Sequence, residues 1–195
     1  MVPFPLARPV SPPTQESAGR SRHFLAPVGA GRPPTRLAPS ELRRLARSLA
    51  SLAGDLADLA TGVERAWRLV ADSDAYEAWV IGWPAGGALE LHDHGGSRGV
   101  VSVVAGSLLE TSVAHFGDRL ALRTRTVSAA TSPLSIGVER IHDVTNPGPG
   151  PALSVHVYSP RLTSMTFFEL AQDELRAQRT EYLGSSERAS GWRAS

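Results

Sequence analysis

The sequence predicts an all-β fold, a sandwich or double-sheet jelly roll, with a helical segment packed on its N-terminal side. Three observations carry this. From Glu77 to about Phe168, short runs rich in Val, Leu, Thr and Ile alternate with turn-forming pieces. The densest of these, Asn146-Pro-Gly-Pro-Gly-Pro151, reads as a loop between two antiparallel strands. Helical periodicity appears only upstream, in a leucine stripe. Many short strands at this spacing argue for two stacked sheets rather than a parallel α/β sheet.

Taken in order, residues 1–39 are rich in Pro, Arg, Ser and Gly, with Glu16 the only acid. Such a segment buries too little apolar surface to offset the entropy of ordering it, so disorder is expected there. Leu42, Leu45, Leu49, Leu52, Leu56 and Leu59 then recur at three- and four-residue steps, with Arg43, Arg44, Arg47, Asp55 and Asp58 off the stripe. This predicts one amphipathic helix, opened by Pro39 and a Ser40 N-cap, whose leucine face packs on the domain. A further helical turn or two is expected over Gly62 to Val70. Strands are predicted at Glu77–Trp83, Leu89–His94, Gly99–Val104, Leu108–His115, Arg119–Val127, Arg140–Asn146 and Ala152–Tyr158. A final strand or helix holding Arg176 and Arg179 closes a single domain over 40–185, and 186–195 reads as a flexible tail.

Composition removes several classes of function. At 195 residues and 42% hydrophobic, the chain can bury a sizeable core. A net charge of +1 offers no field to recruit nucleic acid or an anionic membrane. With no cysteine, disulfides, thiolate ligands and cysteine nucleophiles are excluded. No apolar run approaches a bilayer span, and prolines break up the N-terminus where a signal peptide would need an apolar core. A cytoplasmic enzyme, monomer or small homo-oligomer, is the expectation.

Chemistry concentrates in Gly86-Gly-Ala-Leu-Glu-Leu-His92-Asp-His94, answered downstream by His142. Residues two apart on a strand share a face, so His92 and His94 project together. With His142 they make a facial set of three nitrogen ligands that leaves positions open on a metal. His115 and His23 lack such context and read as ordinary side chains.

These residues resemble a known family. Gly86, His92, His94, Gly99 and Gly106 follow the spacing of the first cupin motif, with Gly99 where a glutamate ligand usually stands. His142-Asp-Val-Thr-Asn146 resembles the end of the second. A cupin without that glutamate is similar to the thiol dioxygenases. Trp83, Gly106 with Glu110 after it, and Ser154-Val-His156-Val-Tyr158-Ser-Pro160 narrow the resemblance to the cysteine dioxygenases, over about Arg65 to Thr166. The resemblance implies a cupin double-stranded β-helix (a jelly-roll barrel). It implies ferrous iron on His92, His94 and His142, with a small thiol and O2 as partners and cysteine sulfinic acid as product. Three neutral ligands leave the metal its full +2 charge, which suits an anionic thiolate.

By the same resemblance, Tyr158 orients substrate and donates to the developing oxygenated sulfur, His156 supports it, and Ser154 extends the relay behind. An arginine before the first barrel strand grips the substrate carboxylate. Arg68 is expected in that role, with Arg65 as the alternative if the register is one turn off. Ser159-Pro160 matches a bond that is cis in the family. Animal members carry a cysteine at the Gly99 position, crosslinked to the tyrosine; here Tyr158 must act as an ordinary phenol, as in bacterial members. The rival expectations are the same chemistry on another thiol such as 3-mercaptopropionate, a zinc hydrolase on the same histidines, and a non-catalytic metal-binding cupin.

Overall fold

In a computed structural model, residues 35–116, 119–171 and 174–183 are described. The expected disorder of the N-terminal segment lies outside these residues up to 34, as does the expected tail at 186–195. Just inside the boundary, Leu37 N donates to Ser159 Oγ at 2.8 Å, so the fold is engaged before Pro39.

The leucine stripe begins as a helix, α1 (Pro39–Leu52), with Pro39 in its first turn. Its N-cap is Ala38 rather than Ser40; Ala38 N donates to Glu41 Oε2 at 2.7 Å, one half of a capping box. The second half of the stripe tightens into a 3-10 stretch, Ala53–Ala60, broken at Leu56. Gly54 and Asp55 are poor helix formers and lie where α1 ends. The apolar spacing therefore persists while the helix type changes.

Eleven strands follow: β1 (Ala66–Asp72), β2 (Glu77–Trp83), β3 (Ala88–His92), β4 (Arg98–Ala105), β5 (Ser107–Phe116), β6 (Arg119–Ser128), β7 (Leu134–Ile136), β8 (His142–Thr145), β9 (Ala152–Ser159), β10 (Ser164–Ala171) and β11 (Glu174–Tyr182). They form two antiparallel sheets, in the orders β1-β2-β9-β4-β7 and β11-β10-β3-β8-β5-β6. The fold is thus the double-sheet jelly roll the sequence predicts. The helical turns expected over Gly62 to Val70 are instead β1. There Trp67 and Leu69 are half-buried while Arg68 and Val70 are exposed, a two-residue period that marks a strand. Arg140–Asn146 contracts to β8, and β11 is the final strand.

Two cores share the five-stranded sheet. Between the sheets lie Trp79, Trp83, Val101, Leu108, Val127, Val144, Met165 and Phe167. On its other face, Ala78, Val80, Val100, Val155 and Val157 pack against Leu42, Ala46, Ala53 and Ala60. All eight residues of β9 are consequently buried, the pattern of a strand covered on both faces. Gly106 turns β4 into β5 at φ 69°, and a Cβ there would sit 2.8 Å from Pro151 O. Asn146 anchors the loops at one end of the barrel: its Nδ2 donates to Trp83 O, Pro84 O and Gly150 O at 2.9–3.1 Å. The Ser159-Pro160 bond is cis.

Candidate metal centre

Cross-strand pairing assembles the histidines. His92 on β3 is the direct partner of His142 on β8, and Phe167 on β10 flanks His92 from the other side. The strand predicted to carry both early histidines ends at His92, so His94 sits in the following loop. That loop is pinned by Asp93, whose Oδ1 accepts from Gly95 N at 3.1 Å and Thr166 N at 3.0 Å, and whose N donates to Thr166 O at 2.9 Å. The three rings nonetheless converge, with centroids 4.8–5.1 Å apart. One candidate ligand atom from each lies within 4.8 Å of the others, a cluster that could hold a metal ion.

The hydrogen bonds around the rings suit that use. His92 Nδ1 lies 2.7 Å from Glu90 O, an acceptor, so Nδ1 carries the proton and Nε2 keeps its lone pair. His142 Nδ1 lies 2.9 Å from Glu110 Oε1, with the same consequence for its Nε2. His94 Nδ1 and Nε2 and His142 Nε2 are buried with no hydrogen-bond partner. Buried imidazole nitrogens rarely stay unsatisfied, and a cation at the centre of the cluster would satisfy His142 Nε2 and one nitrogen of His94. Burial pushes His92 and His94 well below the ordinary imidazole value, and neighbouring imidazoles push the same way. Both are thus neutral, the state a metal requires. The residues fit a divalent transition metal on three nitrogens.

Glu110 is the residue whose role the sequence reading passed over, naming it only within a signature. It is buried, and Arg125 and Arg140 reach it from β6 and from the residues before β8. Burial alone would raise its carboxyl, but hydrogen bonds from His142 and Arg125 outweigh this and hold it below the usual carboxylate range. A charged Glu110 fixes the ring of His142 and makes it a stronger donor. Acidic residues one strand from a ligand histidine were the available signal, but strand pairing was needed to see it.

Across from the histidines, β9 presents Ser154, His156 and Tyr158 on its inner face. Trp83 Nε1 donates to Ser154 Oγ at 2.8 Å, Ser154 Oγ lies 3.0 Å from His156 Nε2, and His156 Nδ1 lies 3.0 Å from Tyr158 OH. Indole can only donate, so Ser154 accepts from Trp83, and its own hydroxyl has His156 Nε2 within reach as an acceptor; a hydrogen bond in that direction sets the tautomer. His156 then carries its proton on Nδ1 and donates to the Tyr158 oxygen. That leaves the phenolic proton free to donate. Burial, helped by His142 and Arg65, lowers His156 to about 3 and keeps it neutral. Burial, with Glu77, raises Tyr158 above its ordinary value, so it stays a phenol. Its ring stacks on His94 at 5.1 Å. Gly99 makes room for that ring: a Cβ there would lie 2.8 Å from Tyr158 Cδ1.

A cavity of about 70 Å³ joins these groups, bounded by Arg65, His92, His142, His156 and Tyr158 and otherwise by apolar side chains such as Trp67, Ile81 and Met165. It has room for a handful of water-sized groups. Arg65, not Arg68, reaches it. Arg68 pairs with Val80, whose side chain faces the helix-side core, and it is exposed on that outer face. Arg65 shares the parity of Trp67 and turns inward. Burial lowers Arg65 from its ordinary value, opposed by Glu90 and Tyr158, and a guanidinium remains a cation throughout.

Fold and site together define a double-sheet β-barrel with a three-histidine centre able to hold a metal. The family described as cysteine dioxygenase type I matches residues 45–171, and the chain belongs to that family. A diaminopimelate epimerase of Bacteroides thetaiotaomicron is 34% identical over 89 residues, which are 45% of this chain and 33% of that protein. The chain thus spans about a third of the length of that curated relative. Among solved structures, oxalate oxidase in complex with the substrate analogue glycolate has a TM-score of 0.44 at 19% identity, over 51% of this chain and 53% of that one. KdgF from Halomonas sp. has a TM-score of 0.43 at 17% identity, over 52% and 83%. The Schizosaccharomyces pombe Cnp3 cupin domain has 0.43 at 12%, over 52% and 66%. Likenesses of this size decide nothing about the reaction. No helix among the described residues is long and apolar enough to cross a membrane.

Proposed function

We propose that this protein is a thiol dioxygenase that holds Fe(II) on His92, His94 and His142 and oxidises the thiol of L-cysteine, with O2, to cysteine sulfinic acid. The observation that carries the reading is the polarised relay Trp83–Ser154–His156–Tyr158, aimed at the histidine cluster. Metal binding alone requires none of these four residues. Iron, when bound, supplies the redox chemistry that lets dioxygen react with a thiolate.

The chain's own residues do the rest. Arg65 binds the substrate carboxylate through paired N–H donors and so orients the thiol toward the histidines. Tyr158 donates its hydroxyl proton to charge that builds up as oxygen adds to sulfur, and it gives that donor without ionising. His156 and Ser154 keep the phenol pointing inward. The apolar wall of Ile81, Leu89, Val144, Leu162 and Met165 excludes water. Both oxygen atoms are transferred, so thiol plus O2 yields the sulfinic acid with no other reductant.

Among the described residues, no Asp or Glu lines the cavity. That favours a second reading in which a carboxylated thiol without an ammonium group, such as 3-mercaptopropionate, is the better substrate. An oxygen electrode with iron-loaded protein tests both. Uptake with L-cysteine, with equimolar sulfinic acid formed, is expected. Faster uptake with 3-mercaptopropionate would select the second reading, and none with any small thiol would overturn both. Arg65→Ala should raise KM for carboxylated thiols by roughly 10²-fold, whereas Arg68→Ala should leave it unchanged.

A further inference from the structure

Arg65 is held by more than its backbone. Its guanidinium carbon lies 5.5 Å from the Trp67 ring centroid and 5.3 Å from that of Trp83. Its Nη1 donates to Ala88 O at 2.6 Å. Trp67 is paired with Ile81 across β1 and β2, which makes Trp83 a diagonal neighbour on the same inner face. The carboxylate that most raises the Arg65 pKa is Glu90, and Arg179 holds Glu90 at 2.5 Å. Arg65 is thus stacked and tethered, with no carboxylate hydrogen-bonded to it among the described residues.

Trp83 already has a task, donating to Ser154. We propose that Trp67 is a positioning residue that sets affinity for carboxylated substrates by stacking on Arg65. The inference rests on the reading that the cavity takes a small carboxylated thiol. Its physics is one of division: an aromatic ring takes up a face of a guanidinium, while a carboxylate binds in the guanidinium plane. The two contacts do not compete. A long, rotamer-rich side chain held in advance loses less freedom when its ligand arrives. The half-buried setting strengthens the stacking relative to an exposed pair.

The test pairs anaerobic calorimetry on iron-loaded protein with oxygen uptake, using L-cysteine, 3-mercaptopropionate and cysteamine, which has no carboxylate. Trp67→Leu should raise Kd and KM for the two carboxylated thiols about fivefold. Cysteamine, which meets Trp67 only as part of the cavity wall, should be weakened clearly less than either carboxylated thiol. Trp67→Phe should restore most of the loss. In an Arg65→Ala background, Trp67→Leu should add nothing further. Where leucine leaves the protein unfolded, Trp67→Met, long and apolar without a ring, takes its place. Equal weakening for all three thiols, or full additivity with Arg65→Ala, would overturn the proposal and make Trp67 a packing residue only. Carboxylate-selective weakening in a protein that consumes no oxygen would uphold the clamp and overturn the dioxygenase. Wild type that binds neither carboxylated thiol would overturn both.

Discussion

The two sheets contribute different chemistry to one cavity. The six-stranded sheet supplies His92 and His142 from paired strands, and its margin is open: β6 and β11 are largely exposed. The five-stranded sheet supplies the relay on β9, a strand buried on both faces between the inner core and α1. A hydrogen-bond chain keeps its polarity only where water cannot offer alternative partners, which suits a strand with no exposed residue. The ligand histidines are as fully buried as the relay, but a metal would fix their rings together with the acceptors behind His92 and His142.

The sharpest way to break this division is to remove a ligand. His142→Ala should abolish stoichiometric iron binding, and with it activity, while leaving the relay strand folded; metal analysis beside circular dichroism checks both halves. Tyr158→Phe, on the other sheet, should lower kcat by roughly 10²-fold, the scale of one lost transition-state donor. It should leave iron content intact. A variant of either sheet that lost the other's property would collapse the distinction.

Glu110→Gln probes the support of a ligand rather than the ligand. Iron affinity should fall about 10- to 100-fold, the range for a hydrogen-bond partner behind a metal ligand, as read from competition with a chelator. Smaller and more gradual is the response to acid. Burial lowers His156 from 6.5 to about 3 and holds His92 and His94 well below 6.5, so the unfolded chain binds more protons as pH falls through that range. Stability of the metal-free protein should therefore be level above about pH 6.5 and decline as pH falls toward 3. Thermal melts across that range measure it. A stability that rose on acidification would mean that these imidazoles are not buried neutral.

Much of this was legible in the chain. Strand β2 was read with its observed limits, and β4, β5, β6 and β9 to within a residue at each end, because alternating apolar residues between strong turn formers leave few options. His92 and His94 were legible as a pair from their spacing, and His142 joined them through its resemblance to the second cupin motif. Strand β1 was missed because it follows a leucine stripe, and its few residues were read as more helix. Yet the alternation of Trp67 and Leu69 with Arg68 and Val70 was there to see, and it would have turned Arg65 inward and Arg68 out. Strands β7 and β10 were not read as separate elements, and β11 was left open as a final strand or helix. The first is short, and charged residues on the last blunt the apolar signal, as suits a sheet edge.

By itself, then, the sequence determined the fold class, the three histidines and the Ser154–His156–Tyr158 run, because each depends on spacing within one strand or motif. Tertiary structure alone decided that Glu110 orients His142, that Trp83 polarises the relay, and that Arg65 rather than Arg68 faces the cavity. Those are relations between strands distant in sequence. Pairing register and a two-residue parity set which side chains meet, and a shift of one residue would have reversed every face.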